Sequence, residues 1–346
     1  MERFPGIEAI AVEIPYDYID LKELENYDKD PNKYTLGLRM KQLAVPLHND
    51  TVITLAEKVL LKLFKSHSVS PDEVGRLEVA TESMTDKSKS IKSCLMKHFG
   101  THTRVEGVDL YHACYAGTSA LFSAIEWMMG PWWNGKKAIV ICVDIARWDS
   151  SLRFMNGAGA VALLISPQGN GVIEPIRCTS CTNEYDFYKP ISLSFPVVNG
   201  RESMNVYLSK LNECIDQIED TESIKRCKYW IFHCASVINS LKGTKEICKR
   251  LCLSSEIEHL YEEKVKPSTE WISESGSLFT ASLFTGLANV LYHNAYSPGD
   301  NILMYAFGSG AMASLYIIKL KGHVSIYQPW DTQDRIKLSL DKWSDL

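Results

Sequence analysis

Three kinds of segment occur in the same order in both halves of the chain, and this doubling restricts the fold more than any other feature. The first is an apolar, strand-like run ending in a polar residue: GRLEVATES around Glu82 and CKYWIFHCAS around His233. The second is an apolar helix opening on small residues, HACYAGTSALFSAIEWM over residues 112–128 and GSLFTASLFTGLANVLYH over residues 276–293. The third is a strand, a glycine turn and another strand: KKAIVICVDIA with NGAGAVALLIS, then DNILMYAF with GSGAMASLYIIKL. The order predicts an α/β protein in which helices are layered around mixed sheets. Two halves, residues 1–166 and 167–346, are then related by a pseudo-two-fold, with the two central helices packed together and their N-termini at one cleft.

Both glycine turns read G-x-G-x-x-A, but each leads into an apolar, β-branched strand instead of a helix. A dinucleotide fingerprint needs the helix and an acidic residue about 20 positions on, so that reading is rejected. The formal net charge of −5 argues against a nucleic-acid face. The one basic run, TDKSKSIKS at residues 85–93, reads first as a solvated helix start and second as a helper for an anionic ligand. No apolar run reaches membrane-spanning length, and MERFPGIEAIAVEIP enters a strand pattern with no room for a leader. Ten cysteines in 346 residues point to a reducing, cytoplasmic setting. The C-x-x-C of Cys178 and Cys181 has no second pair and no histidine at zinc spacing, so the two are expected to be surface thiols, and no metal site is expected. Cys248 and Cys252, one turn apart on a helix, are explained by core packing.

Cys114 stands where small residues open the first central helix, and a helix N-terminus favours a thiolate. Ala113, Ala116, Gly117, Thr118, Ser119 and Ala120 add little bulk, so a reacting carbonyl can approach the sulfur. Position alone also fits a buried structural cysteine. Glu82 ends a hydrophobic strand, where partial burial lifts a carboxylate toward a useful base; a solvated strand-end carboxylate is the plainer reading. His233 holds the equivalent strand end in the second half, and the pseudo-symmetry gathers Glu82, Cys114 and His233 around one cleft.

The segments GIEAIAVEIP, YTLGLRM, GRLEVATESMTDKSKSIKS, ACYAGTSA, YDFYKP, IFHCAS and FGSGAM together resemble the eukaryotic-type 3-hydroxy-3-methylglutaryl-CoA (HMG-CoA) synthases of the thiolase-like superfamily. The resemblance covers nearly the whole chain. It implies the thiolase-like five-layered αβαβα sandwich, a homodimer, and no cofactor, since the CoA thioesters are substrates. It implies that Cys114 carries an acetyl group from acetyl-CoA, that Glu82 takes a proton from the acetyl methyl, and that His233 positions the ketone of acetoacetyl-CoA and protonates the new alkoxide. An enolate of a thioester needs its oxygen stabilised, and backbone N–H groups of Cys114 and of the turn at Gly308 and Ser309 are candidates. Thr118, Asp144 and Asp186 are further candidates for the substrate pocket, and Lys242 for binding CoA.

Several positions depart from the family pattern. Trp148 and Phe279 stand where the family has tyrosines, Ser277 where it has asparagine, and Ile238 where it has a lysine. These changes imply a reshaped acyl pocket. Besides the HMG-CoA synthase reaction, they leave open a paralogue using another β-ketoacyl thioester, on CoA or an acyl-carrier protein, and a catalytically idle binding subunit. The chain ends near DRIKLSLDKWSDL, where the resemblance implies a longer C-terminal extension.

Overall fold

The computed structural model describes residues 4–293, 295–330 and 334–344. The first half supplies β1 (Gly6–Glu13), α1 (Val52–His67), β2 (Val74–Ala80), α2 (Ala116–Met129), β3 (Lys137–Ala146) and β4 (Gly157–Ser166). The second supplies β5 (Gly171–Cys181), α3 (Gly200–Ile215), β6 (Tyr229–Phe232), α4 (Ile238–Arg250), α5 (Ser282–His293), β7 (Asn301–Gly308) and β8 (Met312–Leu320).

The two sets of strands pair identically. In the order β1-β4-β3-β2 the first two pairings are antiparallel and the third is parallel. The order β5-β8-β7-β6 repeats that sequence of directions. The edge strands β1 and β5 meet antiparallel at Gly6 and Val172, which joins both halves into one hydrogen-bonded path. Beyond β2 the path ends on a short strand, Asp109–Leu110.

Alternation along each strand divides the core into layers, because successive side chains point to opposite faces. Val140 and Cys142 of β3 and Met304 and Ala306 of β7 face a central layer shared with Leu121 of α2 and Phe284 of α5. Ile139 and Ile141 face outward onto α1, while Leu303 and Tyr305 face outward onto Leu211 of α3 and Ile247 of α4. Helix, sheet, paired helices, sheet and helix thus make five layers. Local chemistry agrees: Thr51 closes a capping box on α1, and Asn199 caps α3 by accepting from Glu202 N. Gly117 lets α2 lie directly on the sheet, since a Cβ there would sit 2.6 Å from Cys142 Sγ and 3.2 Å from Phe284 Cε2.

Several expectations need correction. The stretch NGAGAV forms no turn; Gly157 and Gly159 lie inside β4, which is bare of side chains there because Ser277 and Leu278 press against it. Helix α5 starts at Ser282, six residues later than the sequence pattern placed it, because Phe279–Ala281 form a separate tight turn. Cys178 is buried and only Cys181 is exposed, while Cys252 lies beyond the end of α4 with φ 57° and is exposed. The basic run leads into a short helix, Ile91–Leu95, capped by Ser90.

Phe284 is fully buried between the sheets, and Phe284→Ala is expected to cost about 3–5 kcal/mol. A urea titration checks this as a lowered midpoint.

Candidate active site

The two halves bring their loops together at one end of the central layer. Cys114 lies just before α2, whose N-cap is Tyr115, and not within its first turn. Ala113 holds φ 42° immediately before it, a strained value for a residue with a Cβ. From the second half, the turn after β7 closes on this loop: a Cβ on Gly308 would lie 2.6 Å from both His112 O and Tyr115 N. Glycine is needed there for the two backbones to touch.

Cys114 Sγ donates to Glu82 Oε1 at 2.9 Å. Glu82 follows the end of β2, and its backbone N–H donates to Asp144 Oδ1 at 2.9 Å. Burial, together with the charge of Asp144, pushes the Glu82 carboxyl up to about 8. The expectation of a thiol tuned downward is overturned: burial first, then the Glu82 charge and hydrogen bond, hold Cys114 well above an ordinary cysteine. At rest the sulfur is a neutral thiol that donates to the neighbouring carboxyl.

His233 is the first residue after β6 and is buried. Its backbone N–H donates to Tyr305 O at 2.8 Å and its carbonyl accepts from Tyr207 Oη at 3.1 Å, which fixes its place. Burial drops His233 to about 4, and its Nδ1 has no hydrogen-bond partner. It rests as a neutral imidazole.

Cys114, His233 and Ser309 line one cavity of about 300 Å³, together with Trp148, Phe279, Ile238 and Lys242. Glu82 stands behind the thiol and not on the cavity wall. Trp148 and Phe279 meet Phe187 edge to face at 5.6 and 6.0 Å, forming an apolar wall packed against Cys114. Phe279 does so at φ 44°, a second strained residue. Sequence reasoning missed Phe187, Phe154 and Met155 on this wall; of these only Phe187, inside YDFYKP, carried any signal.

Other expected pocket residues have different places. Thr118 is buried on α2 beside Tyr316, and Gly308 packs on the Cys114 loop, so neither borders the cavity. Ser277 is buried with an unpartnered Oγ and also lies off the wall. Asp144 is a scaffold: it accepts from Thr81, Glu82, Ser83 and Thr280 and does not reach the cavity. Asp186 accepts from Gly310 N at 3.1 Å and thereby holds the Ser309 turn. Among the described residues no cluster of potential metal ligands occurs.

The family models described as hydroxymethylglutaryl-coenzyme A synthase N terminal and C terminal match residues 2–170 and 239–344. The chain belongs to the hydroxymethylglutaryl-CoA synthase family. It is 33% identical to the mouse protein "Hydroxymethylglutaryl-CoA synthase, cytoplasmic", over 97% of this chain and 75% of that one. It is 30% identical to the hydroxymethylglutaryl-CoA synthase of Saccharomyces cerevisiae, over 92% of this chain and 76% of that one. Among solved structures it superposes on MvaS in complex with 3-hydroxy-3-methylglutaryl coenzyme A with a TM-score of 0.89 and 26% identity, covering 100% of this chain and 92% of that one. The curacin biosynthetic pathway HMG synthase shares the fold, with a TM-score of 0.90 at 22% identity, covering 99% of this chain and 88% of that one. The thiolase-like α/β fold expected of HMG-CoA synthases is therefore the fold of this chain.

The electrostatics give a directional test. Because the Glu82 charge disfavours the thiolate, Glu82→Gln should lower the Cys114 pKa and speed its alkylation at pH 8. Iodoacetamide labelling of the Cys114 peptide, followed by mass spectrometry, should show a several-fold rise over wild type; slower labelling refutes the assignment.

Proposed function

We propose that this chain condenses acetyl-CoA with acetoacetyl-CoA and water to give HMG-CoA, the reaction that feeds the mevalonate pathway. The observation that carries the reading is the 2.9 Å contact of Cys114 Sγ with Glu82 on a cavity shared with His233.

Cys114 attacks the acetyl thioester, its proton passing through Glu82 to the departing CoA sulfur. Glu82, again a carboxylate, takes a proton from the methyl of acetyl-Cys114, and the enolate carbon adds to the ketone of acetoacetyl-CoA. A carboxyl raised to about 8 is a stronger base than an ordinary glutamate, which suits a carbon acid. The neutral imidazole of His233 hydrogen-bonds the ketone oxygen. As that oxygen becomes an alkoxide, His233 gives it the ring N–H proton and regains one from solvent, while Glu82 releases the methyl proton to solvent. Water then cleaves the Cys114 thioester and restores the thiol. Backbone N–H groups of Cys114 and Ser309 are assigned to stabilising the thioester oxyanion, a role worth about 3 kcal/mol of barrier per donor. Lys242 at the cavity is assigned to CoA.

The reaction so written needs no resident cofactor. A cytoplasmic location is supported by the name of the mouse relative; separately, among the described residues no helix is long and apolar enough to cross a membrane. A homodimer is supported by the terminal strand Asp109–Leu110, flanked by Val108 and Tyr111 at 60% and 74% exposure. The wall of Trp148, Phe187 and Phe279 favours one second reading, in which the acceptor is another β-ketoacyl thioester.

Supplying labelled acetyl-CoA should place an acetyl group on the Cys114 peptide, and adding acetoacetyl-CoA should release HMG-CoA, both read by mass spectrometry. Acetylation without HMG-CoA selects the second reading; no acetylation sinks both. Glu82→Ala should still acetylate, slowly, yet lose condensation by at least about 100-fold.

A further inference from the structure

The loop that carries Cys114 holds a second histidine that the reaction above leaves idle. His112 touches the Ser309 turn at two points. Its carbonyl meets Gly308, 2.6 Å from the position of a Cβ there, and its ring Nε2 is the nearest atom, at 3.7 Å, to the position of a Cβ on Gly310. Nε2 is buried and has no hydrogen-bond partner. On the other side of the same glycine, Asp186 Oδ1 accepts from Gly310 N at 3.1 Å, while Asp186 Oδ2 is buried and also without a partner.

Buried polar atoms are almost always paired, and two orphans of complementary chemistry beside one glycine are an exception that calls for a cause. Burial pushes the His112 pKa below that of an ordinary histidine, so the ring is neutral and has a single N–H to give. On Nε2 that N–H is a donor, and the free oxygen of Asp186 is an acceptor. Gly310 has φ 121°, open only to glycine, and its lack of a side chain leaves the space between them.

We propose that His112 is a positioning residue that pairs with Asp186 Oδ2 across Gly310, directly or through one water, and so clamps the Ser309 turn against the Cys114 loop. The strap that bears Asp186 is already tied to this turn by Thr182 and Glu184, whose backbone N–H groups donate to Ala311 O and Gly310 O. The clamp adds the missing tie from the first half. It fixes the spacing between the backbone donors at Cys114 and Ser309, on which oxyanion stabilisation depends. The consequence for rate rests on the proposed acetyl transfer; the clamp itself does not.

Two readouts separate these. The rate of Cys114 acetylation by acetyl-CoA should fall in His112→Phe by on the order of 10- to 100-fold, with KM changed by less than about twofold. His112→Gln, which keeps an N–H donor, should recover much of the loss. Asp186→Asn combined with His112→Phe should cost no more than the worse single variant. Hydrogen exchange of the peptide spanning residues 307–313, measured without substrate, should quicken in His112→Phe. Unchanged exchange, or losses that multiply in the double variant, would overturn the clamp. If wild type is not acetylated, the proposed function fails while the exchange measurement still judges the clamp. Should His112→Phe not fold, His112→Ala with Asp186→Asn carries the same non-additivity test.

Discussion

Asp144 is the group on which the site depends. Standing near the end of β3 and fully buried, it accepts from Thr81 Oγ1, Glu82 N and Ser83 Oγ on one oxygen, and from Thr280 N and Oγ1 on the other. One carboxylate therefore fixes the segment bearing Glu82 and ties it to the Phe279 turn of the opposite half. A buried charge is tolerated only when its lone pairs are fully used, and here five donors use them. Removing it would leave Glu82 N and Thr280 N without a partner and loosen both walls of the site.

The same anion sets the proton chemistry. Its charge raises Glu82 and adds to the burial that raises Cys114. Burial alone drops His233, so no cationic histidine offsets these carboxylates at rest. The site therefore keeps the proton on sulfur, beside a carboxyl raised toward neutrality, until a substrate arrives, rather than storing a thiolate. A resting thiolate reacts with any electrophile. On the proposed mechanism, a thiol paired with its base reacts when a thioester completes the oxyanion contacts, which places selectivity in the geometry of the Cys114 and Ser309 loops.

Much of this was legible in the sequence because the repeat is a matter of periodicity. The apolar runs of β3, β7, α2 and α5 are local patterns, and their order put Glu82 and His233 at corresponding strand ends, with Cys114 at a helix start, before any geometry was known. The electrostatics were illegible for the opposite reason. Nothing near Cys114 in the chain announces Glu82, 32 residues away, and the donors that hold Asp144 come from residues 81–83 and 280. A helix start predicts a lowered thiol pKa; burial beside two carboxylates wins because the thiolate would be a third negative charge in an enclosed space. The aromatic wall was half legible: Trp148 and Phe279 stood out as departures, but Phe187 and Phe154 arrive on a two-residue strand and a single helical turn, too short to carry periodicity.

Several local rules failed at the site. Glycines read as a turn proved to be strand positions because Ser277 and Leu278 must lie against β4. Residues with a Cβ take left-handed backbone at Ala113 and Phe279, one on each side of the nucleophile. Each such residue costs of order 1–3 kcal/mol and persists only when its surroundings overdetermine it. Ala113 is held by the Gly308 contact across the halves, and Phe279 by Asp144 through Thr280 and by the packing of Trp148 and Phe187. Strain at each of the two loops is thus balanced by contacts reaching the other half, so neither loop can keep its shape alone. The geometry of the site is a property of the paired halves, and this explains why a chain with so altered a wall still holds Cys114 and His233 on one cavity with Glu82 behind the thiol.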